Sequence, residues 1–316
     1  MLQKTPEAPG QSHRKGITLM QLADMFPDEE TARKWFEARI WPDGRHCPRC
    51  KGKNTCEASH KKMPYWCKDC RKYFSVKVGT VMQSSKLGYR KWAYAIYLHV
   101  TSLKGVSSMK LHRDIGIAQN SAWHLLQRIR KVFDGGDDDL FNGPVEVDES
   151  YFGGKEKNKH ESQKLNAGRG TVGKTAAVAV KDRKTGKIKA DVVKDTTAKT
   201  LQQFVKNSTE YGSIVYTDEN PSYTGLRWLY THESVKHSVG EYVRKQAHIN
   251  GMESFWAVLK RAHKGVYHKF SKKHLHRYVK DFAGRHGLRR FDTLEQMGLI
   301  TSLMVGKQLK YGDLTA

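Results

Sequence analysis

Four of the five cysteines in this 316-residue chain fall in two pairs, Cys47-Pro-Arg-Cys50 and Cys67-Lys-Asp-Cys70, with 16 residues between them. A two-residue gap turns the backbone tightly enough to aim both thiolates of a pair the same way. Two such knuckles present four sulfurs tetrahedrally, which is how structural Zn²⁺ is held. A disulfide pairing would need an oxidising compartment, and residues Met1 to Gly16 are too polar for a secretory signal. Structural zinc over residues 46–73 is therefore the expectation. Four thiolates leave no open coordination position, so chemistry at this ion is not expected. Cys56, the fifth cysteine, is expected to pack as a small apolar residue. Lys51, Lys53, Lys61, Lys62, Lys68, Arg71 and Lys72 crowd the same module, where they serve either DNA backbone contact or solubility.

A single small module does not account for the rest of the chain. Its length allows two or three domains, and 38% hydrophobic residues place it among globular proteins. The 56 Lys and Arg outnumber 32 Asp and Glu, a net charge of +24 that calls for a polyanionic partner, nucleic acid before membrane. No apolar run approaches the roughly 18 residues a bilayer span needs. The sequence thus predicts a soluble, intracellular protein with no membrane partner.

Between the cysteines and the first acid of interest the period is helical. Tyr89 to Ser102 carries Trp, Tyr, Ile and Leu at core-helix spacing. From Val106 to Leu126, apolar Leu111, Ile115, Ile117, Ala122 and Leu125 flank Gly116 in a helix-turn-helix pattern. Gly116 would supply the turn, and the second helix would offer Gln119, Asn120, Ser121 and His124 to base edges or phosphates. The alternative is a helical hairpin that touches no DNA. His112 stands where a small residue usually packs. Asp134 to Asp139 reads as a linker, and residues 1–45 as an N-terminal arm with a short helical segment.

Three acids then stand out. Val145-Glu-Val-Asp148 alternates like a half-buried strand, and Ser213-Ile-Val-Tyr-Thr-Asp218 reads as another strand with its carboxylate at the end. Asn250 to Lys260 follows the helical period, which sets Glu253 and Lys260 on one face two turns apart. Carboxylates brought together repel unless a cation neutralises them. Mg²⁺ favours one or two carboxylates plus phosphate oxygens, and two such ions about 4 Å apart can activate an attacking oxygen and stabilise the leaving one. Each acid taken singly has a simpler reading. Asp after a strand is ordinary turn chemistry, and Asn250 with Glu253 fits a helix N-cap and its N3 partner.

The motifs Val-Asp148-Glu-Ser-Tyr-Phe-Gly-Gly-Lys155, Tyr-Thr-Asp218-Glu-Asn-Pro-Ser-Tyr223 and His248-Ile-Asn-Gly-Met-Glu253-Ser-Phe-Trp256 together resemble the DDE transposases of bacterial insertion sequences that carry an N-terminal zinc ribbon, relatives of the Merlin transposons. The resemblance runs from about Phe26 to Arg290. It implies an α/β chain in which a zinc ribbon and a helix-turn-helix region (86–135) precede an RNase H-like catalytic domain, a mixed sheet with helices, over 140–316. It implies Mg²⁺ or Mn²⁺ at Asp148, Asp218 and a third ligand, Glu253 or Asn250, with Lys260 near the metal. Cleavage at transposon ends and transfer to target DNA would follow, carried out by a homo-oligomer on double-stranded DNA in the cytoplasm, at the nucleoid. Arg128 and Lys264 complete the residues expected against DNA. A nuclease of the same fold without strand transfer and a non-catalytic zinc-ribbon regulator are the alternatives.

Two further stretches bear on this. Gly168-Arg-Gly-Thr-Val-Gly-Lys174-Thr175 fits the P-loop pattern, but a P-loop needs an apolar strand before it and a helix at its lysine. Here a polar stretch within the Gly153 to Gly173 loop precedes it and a short strand follows, and the loop is expected instead to be mobile and to hold phosphates. Arg244 to Arg290 carries 13 Lys or Arg against two acids, with Trp256, Tyr267, Phe270, Tyr278 and Phe282 expected in the core and the basic face toward DNA.

Overall fold

The computed structural model describes residues 15–135, 139–154, 160–165, 170–235 and 248–315. Parts of the expected N-terminal arm (1–14), linker (136–138), Gly-rich loop (155–159, 166–169) and basic stretch (244–247) lie outside them. The chain divides into two compact units: residues up to Phe133 together with those from Leu288 onward, and Asp134–Gly287.

In the first unit, α1 (Leu19–Met25) opens with a capping box between Thr18 and Gln21, and α2 (Glu29–Ile40) is capped by Asp28. Strands β1 (Thr55–Glu57), β2 (Tyr65–Cys67) and β3 (Lys72–Phe74) form a three-stranded antiparallel sheet that carries the ribbon. Helix α3 (Tyr89–Thr101) buries Trp92, Ile96 and Val100, one face of its helical period. Helices α4 (Ser108–Ile115) and α5 (Gln119–Lys131) follow, joined through Gly116 at φ 59° and ψ 58°. That left-handed backbone is open to glycine without a Cβ penalty, so Gly116 makes the turn as expected. His112 takes the place of a small residue by bonding across the turn, its Nδ1 2.5 Å from the Ile117 carbonyl.

The second unit is built on a five-stranded sheet: β4 (Val145–Phe152), β5 (Thr175–Asp182), β6 (Ile188–Val193), β7 (Ile214–Thr217) and β8 (Thr231–Ser234) in the order β6-β5-β4-β7-β8. The β6-β5-β4 part is antiparallel, whereas β7 and β8 run parallel to β4. Helix α6 (Ala198–Lys206) makes the crossover to β7, and a 3₁₀ helix (Pro221–Trp228) follows it. Both stand on one face; α7 (Asn250–Ala262) and α8 (Leu275–Gly287) cover the other. The run Ala177-Val-Ala-Val180 divides by parity: Val178 and Val180 pack with Leu201, Val205 and Tyr223, while Ala177 and Ala179 leave room for Met252, Trp256 and Leu259. A three-stranded antiparallel meander extended by two parallel strands on the first is the RNase H-like arrangement.

Two boundaries differ from the sequence reading. The first acid does not end its strand, because β4 continues to Phe152 and Asp148 pairs with Ala179 at mid-strand. Tyr151 and Phe152 keep the strand alternation going past Glu149 and Ser150, which by themselves resemble a turn. The C-terminal segment does not belong with the sheet, as 140–316 would have it. Helix α9 (Thr293–Ser302), which opens with an Asp292–Glu295 capping box, puts Met297 and Ile300 into the core of the first unit, where Met304 joins them, all fully buried. The short α10 (Gly312–Thr315) ends that segment. A 3-4 apolar period identifies a buried face but not which core receives it.

Candidate active site and zinc centre

The two cysteine pairs converge as their spacing predicts. Cys47 Sγ lies 3.6 Å from Cys70 Sγ and Cys50 Sγ 3.5 Å from Cys67 Sγ, and all four sulfurs lie within 4.8 Å of one another. A tetrahedral zinc with Zn–S near 2.3 Å would separate its sulfurs by about 3.8 Å. Lys51 and Arg71, each directly after the second cysteine of a knuckle, adopt left-handed φ of 63° and 54°. Burial and the neighbouring sulfurs push the Cys70 thiol up. Four thiolates this close are stable together only around a dication. Cys56 sits half-buried in β1, apart from the cluster.

In the sheet unit the parallel pairing of β4 with β7 matches Val145 to Val215 and Glu146 to Tyr216. Asp148 and Asp218 each stand two residues beyond that paired stretch, Asp148 within β4 and Asp218 just past the end of β7. Both carboxylates are half-buried. Glu149 N–H donates to Asp148 Oδ1 at 2.9 Å, and Asn220 N–H to Asp218 Oδ1 at 3.1 Å. Burial raises the Asp148 carboxyl well above the usual range, as do the charges of Glu149 and Asp218; Lys260 pulls the other way. The expected Asp148, Asp218 and Lys260 therefore share one electrostatic neighbourhood. Glu253 and Asn250 are exposed on the first turn of α7. Among the described residues, the four cysteines are the group of metal-capable side chains with all ligand atoms within 4.8 Å, and the three acids are not drawn together that closely.

The first turn of α7 is fixed by a residue the sequence reading passed over. Glu146, two residues before Asp148 and buried, accepts the Met252 N–H at 3.0 Å and the Arg183 Nε–H at 2.8 Å. Arg183 also donates to the His248 carbonyl at 2.5 Å and stacks 4.1 Å over the Tyr216 ring. A Cβ on Gly251 would stand 2.6 Å from Glu146 Oε2, so glycine lets the helix come down on the carboxylate. The residue before the helix is Ile249, with no side-chain cap. Glu146 takes that role from across the sheet, which corrects the reading of Asn250 and Glu253 as a cap and its partner. On the opposite face of β4, Glu149 accepts from Asn220 Nδ2 and from the buried Tyr223 hydroxyl, each at 2.6 Å. Both donors belong to the segment just after Asp218, so Glu149 ties the two acid-bearing strands together. Two acidic residues inside the single strand β4 were the available signal; the partners of Glu149 lie 71 and 74 residues away in sequence.

Residues 141–286 match the ISXO2-like transposase domain family, and residues 27–73 match the transposase zinc-ribbon domain. The chain thus carries a transposase zinc-ribbon domain ahead of an ISXO2-like transposase domain. An uncharacterised protein in transposable element ISH50 of Halobacterium salinarum is 28% identical over 272 residues, 81% of this chain and 90% of that protein. The ISXO2-like match takes in Asp148, Asp218, Asn250, Glu253, Lys260 and Lys264, and its limit at 286 agrees with the end of the sheet unit at Gly287.

Outside the two matched spans, α4 and α5 with the Gly116 turn lie in the first unit. Asn120 and Ser121 are exposed at the start of α5, and Gln119 donates to Ser108 Oγ at 2.9 Å. His124 and Arg128 turn inward: His124 Nε2 lies 3.4 Å from the Leu309 carbonyl, and buried Arg128 donates to that carbonyl at 3.3 Å. The returning C-terminal segment has claimed both, an outcome that α5 read alone does not reveal. Lys264 is exposed beyond the end of α7. Lys174 of the P-loop pattern leads directly into β5 rather than into the helix that an NTPase P-loop needs. Among the described residues no helix is long and apolar enough to cross a membrane.

Proposed function

We propose that this transposase cuts and joins DNA strands at insertion-sequence ends, with divalent metal held by Asp148, Asp218 and a third ligand from α7. The observation that carries the reading is the parallel pairing of β4 with β7, which ends two residues short of Asp148 and Asp218, together with the Asp148 carboxyl raised by burial and by the charges of Glu149 and Asp218. Such a pair resists ionising together and gains most from a shared dication. Mg²⁺ or Mn²⁺ bound there would activate the attacking oxygen, first of water and then of the freed 3′-hydroxyl, and stabilise the leaving one, as two ions do in a two-metal site.

The protein's own groups supply position and charge. Glu146 holds the first turn of α7 against the sheet, and Glu149 holds the turn after Asp218. Glu253 is the preferred third ligand, since a carboxylate binds Mg²⁺ better than the amide of Asn250. Lys260 is close enough to Asp148 to lower its carboxyl and serves to hold a phosphate. Gln119, Asn120 and Ser121 face the duplex, the ribbon lysines and Lys264 its backbone, and the cysteines hold structural Zn²⁺. The partner is double-stranded DNA, both element ends and target, engaged by a homo-oligomer at the nucleoid.

The test uses purified full-length Asp148→Ala and Asp218→Ala proteins. They are expected to bind end DNA as the wild type does and to lose Mg²⁺-dependent cleavage and joining. Retained joining of a pre-cut end by either variant sinks the proposal. Wild-type cleavage with no joining of that end would make the chain a nuclease.

A further inference from the structure

A basic cavity of about 500 Å³ opens at the end of the sheet unit, lined by Lys174, Lys194 and Lys272 among others. Its floor is the last part of β4 (Tyr151), the start of β5 (Thr175) and the end of β6 (Val193). This is the C-terminal edge of β4, and the parallel β7 delivers Asp218 at the same edge. In mixed α/β sheets ligands collect outside the carboxyl ends of the parallel strands.

We propose that this cavity is a phosphate subsite for the DNA strand running away from the Asp148–Asp218 pair; the inference rests on the proposed role of that pair. Three ammonium groups and the Thr171, Thr175 and Thr196 hydroxyls offer the donors a phosphodiester needs. The acid in the lining, Asp195, has its Oδ1 engaged by Thr197 N–H and by the Thr197 and Thr200 hydroxyls at 3.1, 2.7 and 2.6 Å. The wall is joined to the acids: Tyr151 OH lies 3.4 Å from Thr196 Oγ1, and Ser222, four residues past Asp218, donates to the Thr196 carbonyl at 3.1 Å. Tyr151 is three residues along β4 from Asp148, about 10 Å at 3.3 Å per residue. That is the advance of roughly three nucleotides of one B-form strand at about 3.4 Å each. The Gly-Lys174-Thr175 segment thus serves phosphate without forming a P-loop.

Full-length Lys174→Ala, Lys194→Ala, Lys272→Ala and the triple variant are compared with Lys206→Ala, which removes one charge at the far end of α6. The measurement is the slope of log affinity against log salt for a mixed-sequence linear duplex. Each phosphate that is no longer neutralised makes the slope shallower by roughly 0.9, so the triple variant is expected to lose between two and three in slope, and Lys206→Ala little. A triple variant whose slope matches Lys206→Ala overturns the proposal. So does calorimetric binding of ATP to the wild type that the triple variant lacks, because the cavity would then serve a free nucleotide. Joining of a pre-cut end by the wild type is assayed in parallel. A shallower slope in a protein that never joins ends keeps the subsite and sinks the catalytic reading instead, which separates the two failures.

Discussion

Asp148 is kept in surroundings that oppose its charge. Burial and the charges of Glu149 and Asp218 raise its carboxyl well above the usual range, and Lys260 with the Glu149 N–H only partly compensates. An acid whose folded pKa is raised contributes stability that is complete below its unfolded value, about 3.9. That contribution is lost as pH rises through the folded value. Asp148→Asn is therefore expected to be more stable than the wild type near neutral pH in Mg²⁺-free buffer. The gap should close as pH falls toward the ordinary carboxylate range. Urea unfolding across that range measures it, and an unchanged gap would mean that the repulsion is absent. The same substitution removes a proposed metal ligand, so stability and proposed activity should move in opposite directions.

At the scale of elements, α7 depends on Glu146. Glu146→Ala leaves Arg183 without this carboxylate and the Met252 N–H without its acceptor, and removing one partner of a buried pair costs about 3 kcal/mol or more. Glu146→Gln, which keeps an acceptor for Met252, is expected to lose less by urea unfolding, and equal losses would argue against the cap. These dependencies explain how much could be read in advance. Asp148 and Asp218 were legible because each belongs to a short apolar, β-branched run, and the helix from Asn250 because its period is clean. The partners of Glu146 and Glu149 were not, since they come from the opposite ends of distant segments and only the sheet order brings them together. The extension of β4 to Phe152 was hidden by Glu149 and Ser150, whose local preference is for a turn and whose strand conformation is imposed by pairing with β5.

Across the whole molecule, the zinc ribbon and the C-terminal segment both act on the first unit. Loss of zinc, by chelation or by Cys67→Ser, is expected to abolish amide protection in β1–β3 while leaving β4, β5 and β7 protected, because the metal's binding energy is folding energy for so small a sheet. Hydrogen exchange resolved along the chain reads both outcomes at once. Ile300→Ala opens a hole in a fully buried position and is expected to cost about 2–5 kcal/mol. The loosening should spread through α3 and the other helices of the first unit and spare the sheet unit; the reverse distribution would contradict the division of the chain. With residues before Phe133 and after Leu288 sharing one core, the sheet unit is an insertion within the helical one. On the ribosome, that order makes the inserted unit the first able to fold completely, since every residue it needs has emerged while its host still waits for α9. A chain cut off between Gly287 and α9 would therefore carry a finished RNase H-like domain and an unfinished helical partner.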